Sequence, residues 1–167
     1  MSCCPRSKWN HQHTGRCPCP EWEEGCRANS APCANILSAA NTKAQLLQCH
    51  EPLAFPRIVL HTGNAIELGA CADLFCLKEC GIYRIKFNAL MASTSAVLPA
   101  QVGAMLVLDG RPCPGARAIQ NVSNPNVVSL CFEADVVVND LPAILCVENL
   151  FACTRVVAAT IAIQKKR

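Results

Sequence analysis

The sequence predicts an all-β protein, an antiparallel sandwich or barrel that follows an irregular, cysteine-rich amino-terminal arm. From residue 56 onward, short segments rich in β-branched residues alternate with turn signals, a spacing typical of β-sandwiches. Residues 1–34 sustain neither a strand period nor a helical period, and fourteen of the 167 residues are cysteine. We therefore place the arm at residues 1–55 and the β domain at residues 56–167.

The clearest strand is the segment GIYRIKFNA. Strict alternation of apolar and polar residues indicates a strand with one buried face. We expect the buried face to hold Tyr83, Ile85, Phe87 and Ala89, and the open face Arg84, Lys86 and Asn88.

Turn signals divide the rest of the β region. RIVLH is followed by the turn-prone TGN and then by AIEL, whereas VGAMLVL is apolar on both faces and ends at Asp109-Gly110, a strong hairpin signal. The two prolines of RPCPG oppose regular ladder pairing. NVVSLCFEADVVV, AILCVEN and RVVAATIAI close the domain. The segment 35–49 fits either a short helix or an extended chain.

Several cellular partners are excluded by composition. The net charge is only +3 and dispersed, and aromatic residues make up 5% of the chain, so we expect no binding to nucleic acid. The first residues contain no apolar run of signal-peptide length. The later apolar stretches have strand length, so we expect neither a signal peptide nor a membrane-spanning helix.

The cysteines are the strongest chemical signal, since this frequency is typical of disulfide scaffolds. Seven lie in residues 1–55 and seven in residues 56–167. Both counts are odd, so complete oxidation requires at least one bond between arm and domain, within a chain or between chains. Adjacent cysteines rarely bridge each other, so Cys3 and Cys4 are expected to have separate partners. We predict intersubunit disulfides from Cys3, Cys4, Cys17 and Cys19, and other disulfides from Cys26, Cys33, Cys49, Cys71, Cys76, Cys80, Cys113 and Cys153.

Two further cysteines, Cys131 and Cys146, fall within predicted strands. A lone cysteine in a strand often behaves as a small hydrophobic residue, so a buried thiol and a disulfide both stay open for these positions. The remaining cysteines of the β region are expected at strand ends or in loops, where cross-linking is geometrically easier.

The segment HQHTGRCPC brings together His11, His13, Cys17 and Cys19. These are the ligand types of a tetrahedral zinc site, but their spacing matches no familiar zinc module. We expect disulfides and exposed histidines here, and no metal site.

No arrangement of residues predicts catalysis. A cysteine nucleophile needs a positioned base, and nothing ties His50 or His61 to a particular cysteine. The sequence contains neither a Gly-rich phosphate loop nor a nucleophile elbow. Asp135, Asn139 and Asp140 flank the closing strands and are expected to form turns in preference to a calcium site. We therefore expect a protein with no catalytic residue, no cofactor and no enzymatic activity.

A family resemblance refines this picture. GIYRIKF resembles the central strand of the jelly rolls of the tumour necrosis factor and complement-head superfamily, which has a glycine, any residue, a tyrosine and then alternating apolar positions. MLVLDGRPCPGA resembles its hairpin, and FEADVVVND, LPAILCVEN and ATIAIQKK resemble its closing strands. Residues 56–167 are most similar to the carboxy-terminal head of collagen-like spore-surface (exosporium) proteins, although this chain lacks their Gly-X-Y stalk and has more cysteines. The arm, with Cys3-Cys4 and then Cys17 and Cys19, resembles the amino-terminal connector of endospore-appendage fibre subunits.

The resemblance implies an antiparallel jelly-roll β-sandwich that forms a homotrimer. It also implies a structural subunit of a disulfide-cross-linked extracellular or spore-surface assembly, made without a signal peptide and oxidised late. Alternate positions on VGAMLVL and VVAATIAI are expected to form the subunit interface. Two alternatives stay open, namely a discrete trimeric head that binds a receptor or glycan, and a cytosolic metal–thiolate protein.

Overall fold

A computed structural model describes residues 34–124 and 126–166 of the chain. The described residues form strands and connecting loops and contain no helix. The strands are β1 (Ile36–Asn41), β2 (Gln45–Leu47), β3 (Arg57–Thr62), β4 (Ile66–Leu68), β5 (Phe75–Leu77), β6 (Gly81–Ser93), β7 (Ala100–Leu108), β8 (Arg111–Val122), β9 (Val128–Val138), β10 (Ala143–Asn149) and β11 (Thr154–Lys165).

The strands pair into two antiparallel sheets. The first sheet has the order β3-β1-β11-β6-β9, and β2 pairs with β11 beyond the end of β1. The second sheet has the order β4-β5-β10-β7-β8. Sequential strands thus alternate between sheets in much of the chain, and the predicted antiparallel jelly-roll sandwich is confirmed.

The core lies between the sheets, and β6 illustrates how the sequence builds it. Tyr83, Ile85 and Phe87 are fully buried, whereas Lys86 and Asn88 between and beyond them are exposed. The predicted alternation of this strand is therefore confirmed. A buried tyrosine needs a partner for its hydroxyl, and the hydroxyl of Tyr83 donates to the carbonyl oxygen of Glu79 at 2.7 Å.

The predicted hairpin at Asp109-Gly110 is also confirmed. Both residues have positive φ, 50° and 74°, as a two-residue type I′ turn requires, and they join β7 to β8. The segment that follows pairs less regularly. The pairing register shifts between Met105 and Val107 on β7, opposite the proline-containing part of β8.

The sandwich begins earlier than the predicted boundary at residue 56. β1 pairs with both β11 and β3, and β2 pairs with β11, so residues 36–47 belong to the first sheet. The open choice between helix and extended chain is thereby decided in favour of strands. ILSAAN is short and rich in small residues, and its pairing depends on distant strands that the local pattern does not reveal.

The turn-prone TGN segment connects the two sheets, since β3 lies in the first sheet and β4 in the second. Gly63 has φ of 73°, and a Cβ atom there would lie 1.9 Å from Oδ1 of Asn35. That oxygen accepts hydrogen bonds from the backbone amides of Asn64 (3.0 Å) and Ala65 (3.2 Å). Only glycine allows the carboxamide to approach the turn so closely.

VGAMLVL and VVAATIAI lie in opposite sheets, within β7 and β11 respectively. Their outward-facing positions therefore lie on opposite faces of the sandwich, and their expected place in a subunit interface stays a prediction. Among the described residues, no helix is long and apolar enough to cross a membrane.

Candidate self-association face and cysteine positions

The first sheet has an outer face that points away from the core, and its centre is built from small side chains. The strand register places Thr160 between Asn88 and Ala40, and Ala162 between Lys86 and Ser38. Lys86 is long and its side chain is 57% exposed, but the side chains that β1 and β11 contribute are short, so this strip of the sheet is shallow. We call this surface the outer face; its small residues are Ser38, Ala40, Ala158, Thr160 and Ala162.

Large apolar side chains lie toward the margins of the outer face. Ile82 on β6 is opposite Val137 on β9, and they are 44% and 58% exposed. Leu90, near the other end of β6, is 43% exposed. Apolar side chains around a shallow centre give a surface that another protein molecule can approach closely.

An ion-pair cluster occupies one part of the outer face. Arg84 lies 3.1 Å from Asp135 and 3.3 Å from Glu133, and Lys86 lies 3.4 Å from Glu133. Hydrogen bonds from Arg84 and from Lys166 hold the pKa of Asp135 at about 2. Asp135 thus lies within β9 as an ion-pair partner and is not the turn residue that the sequence suggested.

The two cysteines that were predicted to lie in strands differ in burial. Cys131 on β9 is exposed on the outer face, directly opposite Asn88 of β6, so the buried alternative that was left open for it does not hold in the protomer. Cys146 on β10 is buried, and burial raises the pKa of its thiol to about 12. Alternation places Cys131 with Ser129, Glu133 and Asp135 on the outward side of β9. Cys146 shares its side of β10 with Ile144 and Glu148, a pattern that does not indicate its burial.

Among the other described cysteines, Cys49, Cys80 and Cys153 have exposed, unbridged thiols outside the strands. The thiol of Cys49 donates to the carbonyl oxygen of Leu150 at 3.0 Å, and that of Cys80 to the carbonyl oxygen of Asn139 at 3.3 Å. The loop positions of Cys80 and Cys153 match the expectation from sequence, which made no such prediction for Cys49.

The remaining cysteines differ in burial. Cys71 is exposed in the loop between β4 and β5, whereas Cys76 is buried at the centre of β5, a three-residue strand that the sequence pattern did not indicate. Cys113 in β8 is half-buried, and burial raises its thiol pKa. The predicted arm cysteines lie outside the described residues: Cys3, Cys4, Cys17, Cys19, Cys26 and Cys33.

The histidines that were considered as bases have other partners. Nδ1 of His50 lies 3.3 Å from Oε2 of Glu148, and Nε2 of His61 lies 2.8 Å from the carbonyl oxygen of Ile66. Within residues 34–124 and 126–166, no three side chains of the metal-binding types converge to hold an ion. The predicted absence of a zinc site concerns His11 and His13, which lie outside the described residues.

A groove lies at the end of the sandwich where β7 turns into β8. Its cavity volume is about 510 Å³, and it runs between the hairpin and the end of β9. Asp109, Arg111 and Asp140 line it together with Pro112 and Pro114. The sequence drew attention to Asp140 and to the hairpin but gave no indication that they share a groove.

The outer face itself was only partly visible in the sequence. Thr160 and Ala162 are alternate positions of VVAATIAI, as expected for an interface. Ser38 and Ala40 were missed, because residues 35–49 gave no clear strand signal. Recognising β1 as a neighbour of β11 would have located them.

Comparison with solved structures identifies the fold as that of the TNF- and C1q-like jelly-roll heads. The structure of Eiger TNF from S. frugiperda matches with a TM-score of 0.64 and 11% identity, over 80% of this chain and 93% of that one. Murine APRIL at pH 8.5 matches with a TM-score of 0.61 and 15% identity, over 80% and 99%. The globular domain of zebrafish complement 1qA protein matches with a TM-score of 0.59 and 12% identity, over 77% and 94%.

No family model and no curated protein matches the sequence. At these identities the structural matches establish the fold alone. They confirm the jelly-roll fold that the family resemblance implied.

Proposed function

We propose that this chain is a non-enzymatic structural subunit. It self-associates as a homotrimer through the outer face, and cysteines of the arm cross-link the trimers into an extracellular or spore-surface assembly. The observation that carries the proposal is the outer face, where small side chains at the centre of a sheet are flanked by exposed Ile82, Leu90 and Val137.

Physical considerations favour self-association on this face. A stable interface needs about 800 Å² from each partner, an area that one face of the six-stranded first sheet can supply. Ser38, Thr160 and Ala162 allow the backbones of two copies to approach, and the apolar margin supplies surface to bury. In a closed cyclic oligomer, the interface surface of every subunit is buried against a neighbour, so none is left exposed.

Covalent cross-linking is the second part of the proposal. Cys3, Cys4, Cys17 and Cys19 would bond to neighbouring copies, and the exposed loop thiols of Cys49, Cys80 and Cys153 are accessible partners. A disulfide stabilises a fold by roughly 2–4 kcal/mol, so several in each subunit would make an assembly resistant to heat and denaturant. The proposed location is a spore surface or the extracellular space, and we propose no role in binding nucleic acid or membranes.

A charge placed on the outer face tests the trimer. Thr160→Arg introduces a long cation at its centre, and we expect the reduced protein to change from trimer to monomer in analytical ultracentrifugation. Gln120→Arg is the matched control, because Gln120 is an exposed strand residue of the other sheet. A monomeric wild-type protein, or a trimeric Thr160→Arg variant, would contradict the proposal.

Electrophoresis with and without reductant tests the cross-links. Native material should form a ladder or fail to enter the gel, and reduction should collapse it to the 17.9 kDa monomer. Replacing Cys3, Cys4, Cys17 and Cys19 with serine should abolish the ladder, whereas Cys131→Ser alone should preserve it. A single small species in both lanes would argue against the polymer.

The alternative function is a discrete trimeric head that binds a receptor or glycan, and the groove beside the β7–β8 hairpin favours it. The groove offers acidic and basic hydrogen-bonding side chains, namely Asp109, Asp140 and Arg111. This alternative predicts a trimer without a ladder. Metal analysis of the same sample tests the remaining alternative, a cytosolic metal–thiolate protein. Such a protein would contain zinc and would show no species of high mass.

A further inference from the structure

We propose that Cys49 and Cys153 together form a cross-linking site on the sandwich, where the adjacent thiols of Cys3 and Cys4 from another trimer bond. This inference rests on the proposed assembly function and deepens it, because it names the acceptors of the cross-link. It follows from where the two acceptor thiols lie and from what two adjacent cysteines require of their partners.

Cys153 lies at the end of the sandwich opposite to the arm. The carbonyl oxygen of Asn35 accepts a hydrogen bond from the amide of Lys165, the last residue of β11, whereas Cys153 directly precedes the first residue of that strand. β11 has 12 residues, and a strand rises about 3.3 Å per residue, so the two ends are roughly 35 Å apart. When subunits stack end to end in the same orientation, the arm end of one subunit faces the Cys153 end of the next.

Cys49 lies at the same end as Cys153, because β2 pairs with the beginning of β11. Leu47 is opposite Thr154, so Cys49 is two residues and Cys153 one residue beyond a paired position. Consecutive Cα atoms are about 3.8 Å apart and paired ones up to about 5.5 Å, so the Cα atoms of the two cysteines are separated by at most about 17 Å.

Hydrogen bonds hold the loop after β2 against the loop before β11. The side-chain amide of Asn149 donates to the carbonyl oxygen of Gln48 at 2.9 Å, and the thiol of Cys49 donates to the carbonyl oxygen of Leu150 at 3.0 Å. Cys49 and Cys153 are both exposed there. Since these loops lie at the end of the sandwich, self-association through the outer face does not require either thiol to be covered.

Adjacent cysteines impose a distance on their two partners. Cys3 and Cys4 are the only neighbouring cysteines in the sequence, and such neighbours rarely bridge each other. Their Cα atoms are about 3.8 Å apart, and the Cα atoms of a disulfide are at most about 6.8 Å apart, so the two acceptors must lie within about 17 Å of each other. The β2–β11 register ensures that Cys49 and Cys153 meet this condition.

Cys80, another exposed loop thiol, does not meet this condition together with Cys153. It lies three residues before Tyr83, which is opposite Lys165 at the arm end of β11. The length of β11 therefore separates Cys80 from Cys153 by roughly 30 Å or more. One pair of adjacent cysteines cannot bond to both.

Each bond forms by thiol–disulfide exchange with a small-molecule disulfide, such as oxidised glutathione. Two thiols of the protein lose two protons and two electrons as their sulfur atoms join. The small disulfide takes up these protons and electrons and leaves as two thiols. Forming both bonds therefore consumes two molecules of the small disulfide for each subunit.

Serine variants of the full-length protein test the assignment in a background that carries Cys17→Ser and Cys19→Ser. The reduced protein is treated with oxidised glutathione and separated by electrophoresis without reductant. We expect the background protein to form species larger than three chains, and Cys49→Ser with Cys153→Ser to abolish them. Cys80→Ser is the matched control, because Cys80 is also an exposed loop thiol that donates to a backbone carbonyl, and it should leave the ladder unchanged.

Peptide mapping of the oxidised wild-type protein identifies the bonded partners directly. After digestion with trypsin and a glutamate-specific protease, residues 1–6 should be linked to the peptides that contain Cys49 and Cys153. Mixing ¹⁵N-labelled and unlabelled protein in the reduced state before oxidation should give linked peptides whose two partners carry different labels. Such mixed pairs form only when the bond joins two copies.

The inference is overturned if residues 1–6 are linked to other cysteines, or if linked peptides always share one label. It is also overturned if the background protein forms no species larger than three chains, or if these species survive Cys49→Ser with Cys153→Ser. Each result can occur while the wild-type ladder still depends on cysteines of the arm, so the proposed function would stand. A wild-type protein that forms no ladder would instead refute the proposed function.

Discussion

At the scale of single residues, burial determines which thiols are chemically available. Cys131 and Cys146 are both strand cysteines, yet one is exposed on the outer face and the other is buried beneath its neighbours. The thiolate is the reactive form of cysteine, so burial that raises the thiol pKa suppresses reaction.

Alkylation kinetics should show this difference. At pH 8, iodoacetamide should modify Cys131 at least tenfold faster than Cys146 in reduced Thr160→Arg protein, because the pKa of about 12 keeps the thiol of Cys146 protonated. Digestion with trypsin and a glutamate-specific protease separates the two cysteines, because Glu133 lies between them, and mass spectrometry of the resulting peptides measures both rates. In urea the two rates should converge, and equal rates in the folded protein would contradict the assigned burial.

Acid should weaken the ion pairs around Asp135. The pKa of Asp135 is lowered from 3.8 to about 2, so its carboxylate stabilises the fold above pH 3.8, and this contribution is lost as the pH falls through 2. Asp135→Asn should therefore lower the melting temperature at pH 6 and have little effect at pH 2. The group is exposed, so the difference should be small, and a larger effect at the lower pH would contradict the sign.

At the scale of secondary-structure elements, the connection from β3 to β4 depends on one glycine. Asn35 holds this connection through bonds to two backbone amides, and Gly63 leaves room for its carboxamide. The connection fixes where β3 enters the first sheet.

Gly63→Ala should destabilise the protein more than Gly110→Ala does. Both glycines have φ near 74°, so both variants incur a backbone cost of about 1 kcal/mol. Only Gly63→Ala also displaces Asn35 and its two hydrogen bonds, which raises the expected loss to about 2–4 kcal/mol. Urea unfolding of the reduced proteins measures both values, and equal losses would show that the contact with Asn35 contributes nothing.

The sequence predicted elements where local patterns were strong. Alternation defined β6, and Asp109-Gly110 defined the β7–β8 hairpin. β1 was not predicted, because ILSAAN is stabilised by β11 and β3, which are distant in sequence. The outer face was only half visible for the same reason, since Ser38 and Ala40 come from β1. Periodicity also left open which sheet each strand joins, and so it did not reveal that VGAMLVL and VVAATIAI lie in different sheets.

At the scale of the whole molecule, the proposed trimer links stability to concentration. A ligand or partner that binds only the folded state raises the midpoint of unfolding by mass action. In the reduced wild-type protein, the melting temperature should rise with protein concentration.

Thr160→Arg should show a lower melting temperature that does not depend on concentration, whereas Gln120→Arg should behave as wild type. Differential scanning fluorimetry over a hundredfold range of concentration measures both. A concentration-independent melting temperature for the wild type would count against a trimer in equilibrium with its subunits.

The first and last strands of the sandwich are neighbours, with Ile36 opposite Gln164 and the amide of Lys165 bonded to the carbonyl oxygen of Asn35. In a cyclic trimer, the three Asn35 residues would therefore lie at the same end of the threefold axis. Cross-links made from that end alone would join trimers in one direction, so the proposed assembly would have two unlike ends.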